Sequence, residues 1–81
     1  MLITLRYFAI LREQVGKEHE ELEMPAMATI QDVRAALITL YPTIEQSLRK
    51  CRVARNKGFC DETTYLTMGD EVVFLPPMSG G

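Results

Sequence analysis

The sequence predicts an α+β domain in which one sheet wraps around a single long helix. Strand-like segments lie near both ends of the chain: the first alternates apolar and polar residues, and the last is a short apolar run. Between them, Ile30, Val33, Leu37 and Leu40 recur at spacings of three and four, which indicates a helix with one apolar face. A chain of 81 residues has room for one core, so we expect one domain.

The N-terminal third predicts a strand, a short helix and an edge strand. The short helix follows from good helix formers that end at Gly16, a residue suited to the left-handed conformation of a helix C-terminus. The second strand ends at Pro25, and its glutamates would discourage pairing with another sheet, which favours an edge position. These three elements span residues 2–8, 9–15 and 19–24.

The main helix and a group of strands complete the predicted order. Thr29 as N-cap and Asp32 in the first turn favour a helix start here, and Pro42 ends the helix. Residues 52–60 indicate a strand, a polar turn and a returning strand. Residues 71–75 indicate a last strand, which the following proline pair ends.

Composition and charge exclude several classes of function. Nine basic against eleven acidic residues give a net charge of −2, which argues against a strongly basic nucleic-acid binder. The longest apolar run, from Tyr7 to Leu11, has five residues, far fewer than the ~20 that span a bilayer. Two cysteines are too few for a disulfide framework, and the N-terminus does not resemble a secretory signal. We therefore expect a cytoplasmic protein that binds neither nucleic acid nor membrane.

The chain ends in a segment that a globular core does not need. Its residues are Pro76, Pro77, Met78, Ser79, Gly80 and Gly81. The prolines stiffen its base, the glycines have no side chain, and these residues can extend roughly 20 Å at about 3.3 Å each. We therefore divide the chain into a globule, residues 1–75, and a tail, residues 76–81, that delivers its terminal carboxylate into a narrow channel. A frayed terminus is the alternative interpretation.

The ending also carries a family resemblance. Residues 69–81, Gly-Asp-Glu-Val-Val-Phe-Leu-Pro-Pro-Met-Ser-Gly-Gly, resemble the close of the small, sulfur-carrying subunit of molybdopterin synthase, the MoaD family. The segments Tyr7-Phe8-Ala9 and Leu11-Arg12-Glu13 resemble the first strand and short helix of that family. The resemblance implies the ubiquitin-like β-grasp fold, with a mixed sheet around the main helix. Arg55 departs from the family pattern, because relatives often have an apolar residue at this position.

The resemblance implies a sulfur carrier that is not itself a catalyst. An ATP-dependent adenylating enzyme of the MoeB type would activate the carboxylate of Gly81, and a persulfide sulfur donor would displace AMP to leave a terminal thiocarboxylate. The large subunit, of the MoaE type, would use this sulfur to convert precursor Z, cyclic pyranopterin monophosphate, into the dithiolene of molybdopterin in molybdenum cofactor biosynthesis. This chain would bind no cofactor itself, and the family implies a heterotetramer of two small and two large subunits.

Three alternatives stay open on the sequence. A carrier on the same fold could serve another recipient, as ThiS-like proteins do in thiamine synthesis, although the length and the ending disfavour this. A ubiquitin-like modifier would form isopeptide bonds with target lysines through Gly81. A plain interaction module would have an inert tail.

Strand parity predicts where a partner docks. If alternate residues of the first and last strands face the helix, Phe8 and Leu75 face the other way, and Phe59 has no assigned core position. We expect these three residues to form an exposed apolar patch at the base of the tail. Arg12 lies one helical turn after Phe8 and is expected to contact the partner beside the patch. The alternative is that one or more of the three folds under a loop.

Other polar residues have simpler interpretations. His19 stands among glutamates without ligand spacing on one face, so we expect a solvated strand and no metal site. Cys51 and Cys60 lack CxxC spacing and are interpreted as ordinary thiols. A basic run is interpreted as a solvated strand and turn, with recognition of an acidic partner surface as the alternative. It comprises Arg49, Lys50, Arg52, Arg55 and Lys57.

Overall fold

The computed structural model describes residues 1–77, so Met78–Gly81, most of the predicted tail, lie outside the described residues. Its strands are β1 (Leu2–Arg6), β2 (His19–Glu23), β3 (Arg52–Arg55), β4 (Gly58–Phe59) and β5 (Glu71–Leu75). Its helices are α1 (Ala9–Val15), α2 (Ile30–Leu40) and α3 (Glu45–Arg49), and a 3-10 turn (Pro42–Ile44) precedes α3. The strands form one sheet in the order β2-β1-β5-β3-β4.

β1 and β5 pair in parallel, and the other three pairings among these strands are antiparallel. β1 pairs with β5 so that Leu5 lies opposite Val72, whereas β2 pairs antiparallel with β1, and β3 with both β5 and β4. The hydrophobic core joins this mixed sheet to α2, as the parity of the strands requires. Its members include Ile3, Leu5, Val33, Leu37, Val72 and Phe74, each at most 1% exposed. The predicted α+β architecture is confirmed.

Helix α2 begins where its capping residues predict. The Thr29 hydroxyl accepts from the Asp32 backbone N–H and the Asp32 carboxylate accepts from the Thr29 N–H, which is a reciprocal capping box. The predicted apolar stripe is correct through Leu37 but wrong at Leu40, which is 53% exposed. At this end of the helix the core is filled instead by Ile44 of the 3-10 turn, a segment for which the sequence pattern makes no prediction.

The predicted turns are present with the expected backbone geometry. Gly16 closes α1 at a φ of 86°, in the left-handed region. Asn56 and Lys57 join β3 to β4 with φ values of 49° and 76°, and positive φ at both central residues is the pattern of a type I′ hairpin turn. Gly69 has a φ of 84° in the turn before β5.

Glu20 of the edge strand β2 makes hydrogen bonds that the sequence pattern does not predict. Glu20 Oε2 accepts hydrogen bonds from the hydroxyls of Tyr7 at 2.5 Å and Tyr41 at 2.7 Å, and Lys17 Nζ lies 3.3 Å from Oε1. Burial alone would raise the pKa of Glu20, but these three donors outweigh it and hold the pKa below its usual value. Burial, together with the hydrogen bond to the Glu20 carboxylate and its negative charge, raises the pKa of Tyr7. The carboxylate thereby ties β1, β2 and the end of α2 together.

Candidate functional site

The tail leaves the globule at an edge where several elements meet. Because β1 and β5 are parallel, their carboxyl ends lie at the same edge of the sheet, and the antiparallel pairing of Arg52 with Leu75 brings the start of β3 there too. Pro76 and Pro77, which we call the tail root, follow directly; Pro76 is half-buried and Pro77 is exposed. The proline rings stiffen this first step out of the fold.

An apolar pocket lies beside the tail root. Its volume is about 460 Å³, and it is lined by Arg52, Phe59, Leu75, Pro76 and Pro77. Phe59 is 60% exposed on the short edge strand, where it pairs with Ala54, while Leu75 faces away from the core side of β5. Two of the three predicted patch residues therefore line one pocket, and neither folds under a loop.

The third predicted patch residue, Phe8, lies at the same end of the sheet but does not line this pocket. Arg6 pairs with Val73, and two residues further along each chain lie Phe8 and Leu75. Phe8 is 45% exposed and precedes Ala9, whose φ of 50° places a non-glycine residue in the left-handed region at the start of α1. The three patch residues therefore lie at one end of the sheet, and the apolar pocket lies on the β3–β4 side of that end.

Arg12 is exposed on α1, as its proposed role as a partner contact requires. Its guanidinium forms a long ion pair with Glu18, with 3.7 Å between Nη1 and Oε1. Both side chains are more than half exposed, so this pair contributes little to stability. Arg12 can therefore exchange Glu18 for a carboxylate of a partner at small cost.

A second pocket also borders the tail root, and no sequence pattern predicts it. Its volume is about 260 Å³, and it is lined by Ile10, Gln46, Ser47, Lys50, Pro76 and Pro77. Its outer wall belongs to α3, which carries no strong sequence signal because it is only five residues long. The register of the sheet could have suggested it, since the residues just before β3 must lie near the end of β5.

Comparison with known proteins places this fold and its ending in a family. A model described as the ThiS family matches residues 5–81. The chain belongs to the ThiS family. The molybdopterin synthase sulfur carrier subunit of Chlamydomonas reinhardtii is 32% identical over the full length of both chains. The subunit of the same name from Arabidopsis thaliana is also 32% identical, over 98% of this chain and 82% of the relative.

Solved structures agree with this assignment. SAMP1 from Haloferax volcanii superposes with a TM-score of 0.90 at 26% identity, over 100% of both chains. The fold of this ThiS-family chain is thus the ubiquitin-like β-grasp, as the C-terminal pattern implied. The resemblance to the small subunit of molybdopterin synthase is confirmed by the relatives of that name.

The aspartate of the Gly-Asp-Glu-Val run has a structural role in this ThiS-family chain. Asp70 is 5% exposed and accepts hydrogen bonds from Arg55 Nε at 2.7 Å, Asn56 Nδ2 at 2.9 Å and the Thr67 N–H at 2.8 Å. Burial alone would raise the pKa of Asp70, but the bonds from Thr67, Arg55 and Asn56 lower it to about 2. This cluster holds the β3–β4 turn against the start of β5.

The ion pair with Asp70 gives Arg55, which departs from the family pattern, a structural role. Its backbone keeps the pairing expected of a strand, opposite Val72 on one side and Gly58 on the other. Its guanidinium replaces an apolar contact with an ion pair to Asp70. The departure therefore leaves the hairpin next to the apolar pocket intact.

The remaining candidate groups are His19 and the two cysteines. Within residues 1–77 no three His, Cys, Asp or Glu side chains lie close enough together to hold a metal ion, and His19 is exposed. Cys51 and Cys60 are free thiols, and burial raises the pKa of Cys51 despite the nearby Arg34. No helix of this same region has the length and apolarity needed to cross a bilayer.

Proposed function

We propose that this chain is the sulfur carrier subunit of a molybdopterin synthase and that its C-terminal residue, Gly81, carries the sulfur. The observation that carries the proposal is the full-length similarity to sulfur carrier subunits of that name, joined to a Gly-Gly ending that follows a stiff proline pair. The tail, residues 76–81, carries the sulfur, and the globule of residues 1–75 bears the tail. The free thiols suit a reducing compartment, and we assign the protein to the cytoplasm.

The chemistry at Gly81 needs activation from outside the chain. An α-carboxylate is ionised at neutral pH and has no good leaving group, so it resists attack by a sulfur nucleophile. Attack of this carboxylate on the α-phosphorus of ATP, in a MoeB-like enzyme, gives an acyl adenylate and pyrophosphate. The outer sulfur of a persulfide then displaces AMP to form an acyl disulfide, and a thiol of the donor cleaves its S–S bond to leave the thiocarboxylate.

The loaded tail then enters the large subunit, which is MoaE-like and supplies the catalytic side chains. A dithiolene holds two sulfur atoms, so each precursor Z consumes two loaded carriers, which suits an assembly of two small and two large subunits. In the tail, Gly80 has no side chain, so the terminal sulfur can reach a confined site. Pro76, Pro77, Met78 and Ser79 set the length of the tail. This chain contributes sulfur and positioning, and no catalytic side chain.

The apolar edge of the globule anchors the large subunit. Phe59 and Leu75 line the apolar pocket, Phe8 lies at the same end of the sheet, and Arg12 is exposed nearby on α1. Aromatic and aliphatic side chains that fill such pockets dominate the energy of many interfaces. Leu75→Glu should therefore abolish binding of the large subunit while the monomer stays folded. Leu40→Glu, at an exposed position of α2, is the matched control and should bind normally.

The central experiment follows the terminal sulfur. The chain is incubated with the adenylating enzyme, ATP and a persulfide donor, and its intact mass is measured. Replacement of one oxygen by sulfur is expected for the wild type and for Met78→Ala, which keeps the tail length, but not after deletion of Gly81. The loaded chain with the large subunit and precursor Z should then yield the dithiolene. A loaded chain that yields no dithiolene contradicts the molybdopterin assignment.

A protein modifier is the second candidate, and the 26% identity to SAMP1 of Haloferax volcanii, whose name stands for small archaeal modifier protein 1, favours it. In that function a lysine amine would attack the acyl adenylate of Gly81, form an isopeptide bond with its acyl group and release AMP. Protein isolated from cells distinguishes the two functions. A terminal thiocarboxylate supports the carrier, whereas a ladder of lysine conjugates that disappears on deletion of Gly81 supports the modifier.

A further inference from the structure

Two cations flank the tail root, one in each pocket. Arg52 lines the apolar pocket and Lys50 lines the pocket between α1 and α3, and both pockets share Pro76 and Pro77 as their common wall. No Asp or Glu lines either pocket within the described residues. The two pockets at the point where the tail leaves therefore contain two cations, on a chain whose net charge is −2. Arg52 also lines a neighbouring pocket with Asp61 and Glu62, of which Glu62 is paired with Arg34.

The other members of the basic run are engaged or lie elsewhere. Arg49 Nη2 is 2.5 Å from Glu45 Oε2, and Arg55 Nε is 2.7 Å from Asp70 Oδ2. Lys57 lies in the β3–β4 turn, at the far end of β3 from Arg52. Across residues 1–77, Lys50 and Arg52 take part in no ion pair, so their charges are available to a partner. Of the five basic residues in the run, two therefore line the pockets beside the tail root, and these are Lys50 and Arg52.

Arg52 is held in position by an aromatic ring. Its guanidinium carbon lies 3.8 Å from the centroid of the Phe59 ring, a cation–π stack on the wall of the apolar pocket. Such a stack fixes the planar group while leaving its N–H donors open to solvent. An apolar side chain that enters the pocket would therefore meet a preorganised guanidinium next to it.

We propose that the large-subunit surface that receives the tail is acidic around the channel mouth, with a carboxylate facing Arg52, a second carboxylate facing Lys50, and an apolar side chain in the apolar pocket beside Arg52. This inference rests on the proposed function and adds the chemistry of the partner surface to it. Opposite charges around the channel mouth steer the encounter and orient the tail before it enters. They also discriminate against partner surfaces that are basic at this position.

The test measures association of the chain with the large subunit of its own synthase at low and high salt. Arg52→Glu and Lys50→Glu should each slow association roughly tenfold at low salt, and the double variant should be slower than either alone. The matched control, Lys57→Glu, makes the same change in net charge at the far end of β3 and should associate at close to the wild-type rate. Arg52→Lys keeps the charge and should bind nearly as the wild type does.

High salt screens the attraction between charges but leaves the shapes of the two surfaces unchanged, so the salt dependence distinguishes these two contributions to association. At about 1 M salt the Debye length is about 3 Å, so the wild type and the reversed variants should converge in their association rates. Equal rates for Lys57→Glu and Arg52→Glu at low salt, or a wild-type rate that does not depend on salt, would overturn the inference while leaving the carrier function intact. A wild-type chain that does not bind the large subunit overturns both. The urea midpoint of each variant confirms that it is folded.

Discussion

Replacing Asp70 by Asn should destabilise this protein by about 2 to 3 kcal/mol at pH 7. The carboxylate uses both oxygens as acceptors: Oδ2 accepts from Arg55 Nε and the Thr67 N–H, and Oδ1 accepts from Asn56 Nδ2 and the Thr67 hydroxyl. An amide of the same shape turns one of these acceptors into a donor. It therefore loses the ion pair and leaves two donors facing an N–H group.

The same contacts also lower the pKa of Asp70, which makes their contribution to stability depend on pH. The pKa falls from an ordinary value of 3.8 to about 2, which corresponds to roughly 2 kcal/mol of stability at neutral pH. Because the folded-state pKa is the lower one, this stability is fully present above pH 4 or so and is lost as the pH falls toward about 2. The difference between the wild type and Asp70→Asn should therefore shrink across that window.

Urea unfolding followed by circular dichroism, at a series of pH values from 7 downward, measures both effects. The matched control is Asp61→Asn, since Asp61 is exposed and its side chain has no hydrogen bond among the described contacts. Its free energy of unfolding should stay within about 0.5 kcal/mol of the wild type. If Asp70→Asn also falls within that margin, or if its deficit is unchanged at low pH, the structural role assigned to the Gly-Asp-Glu-Val aspartate is wrong.

Three further stability predictions follow from single positions. Glu20→Gln should cost about 1 to 2 kcal/mol at pH 7, and the wild type should lose this advantage as the pH falls below the ordinary Glu value of about 4.3, because the pKa of Glu20 is lowered on folding. Gly16→Ala should cost about 1 kcal/mol in urea unfolding, because its φ is 86° although no atom lies within 4 Å of a new Cβ, whereas Gly58→Ala should not pay this strain. Leu48→Ala should cost about 3 kcal/mol because Leu48 is fully buried, and an equal loss for the exposed Leu40→Ala would contradict this account of the core.

Much of the fold follows from local patterns that the sequence displays. The spacing of Ile30, Val33 and Leu37 predicts α2, and its capping residues predict its start within a residue. The glycine and polar turns predict where α1 and the β3–β4 hairpin reverse. These features depend on neighbours within about one or two turns of chain, so a single sequence contains the information needed to find them.

The predictions fail where a residue's environment comes from distant chain. Leu40 continues the apolar spacing of α2 yet is exposed, because Ile44 and Leu48 fill the core at that end. Glu20 looks like one more acidic residue of an edge strand, yet two tyrosines from other elements donate to it. The partners of such residues are set by the register of the sheet, which local periodicity does not specify.

Local sequence patterns specify a small α+β core with one main helix, and a Gly-Gly ending on a stiff proline base that resembles the ending of sulfur carriers. The tertiary structure alone decided which side chains surround that base. Parallel pairing of β1 with β5 and antiparallel pairing of β5 with β3 bring Phe59, Leu75, Lys50 and Arg52 around Pro76 and Pro77. Residues 50–59 lie far from the two prolines along the chain, and the register of the sheet, which is set by the burial of one of its faces against α2, brings them together.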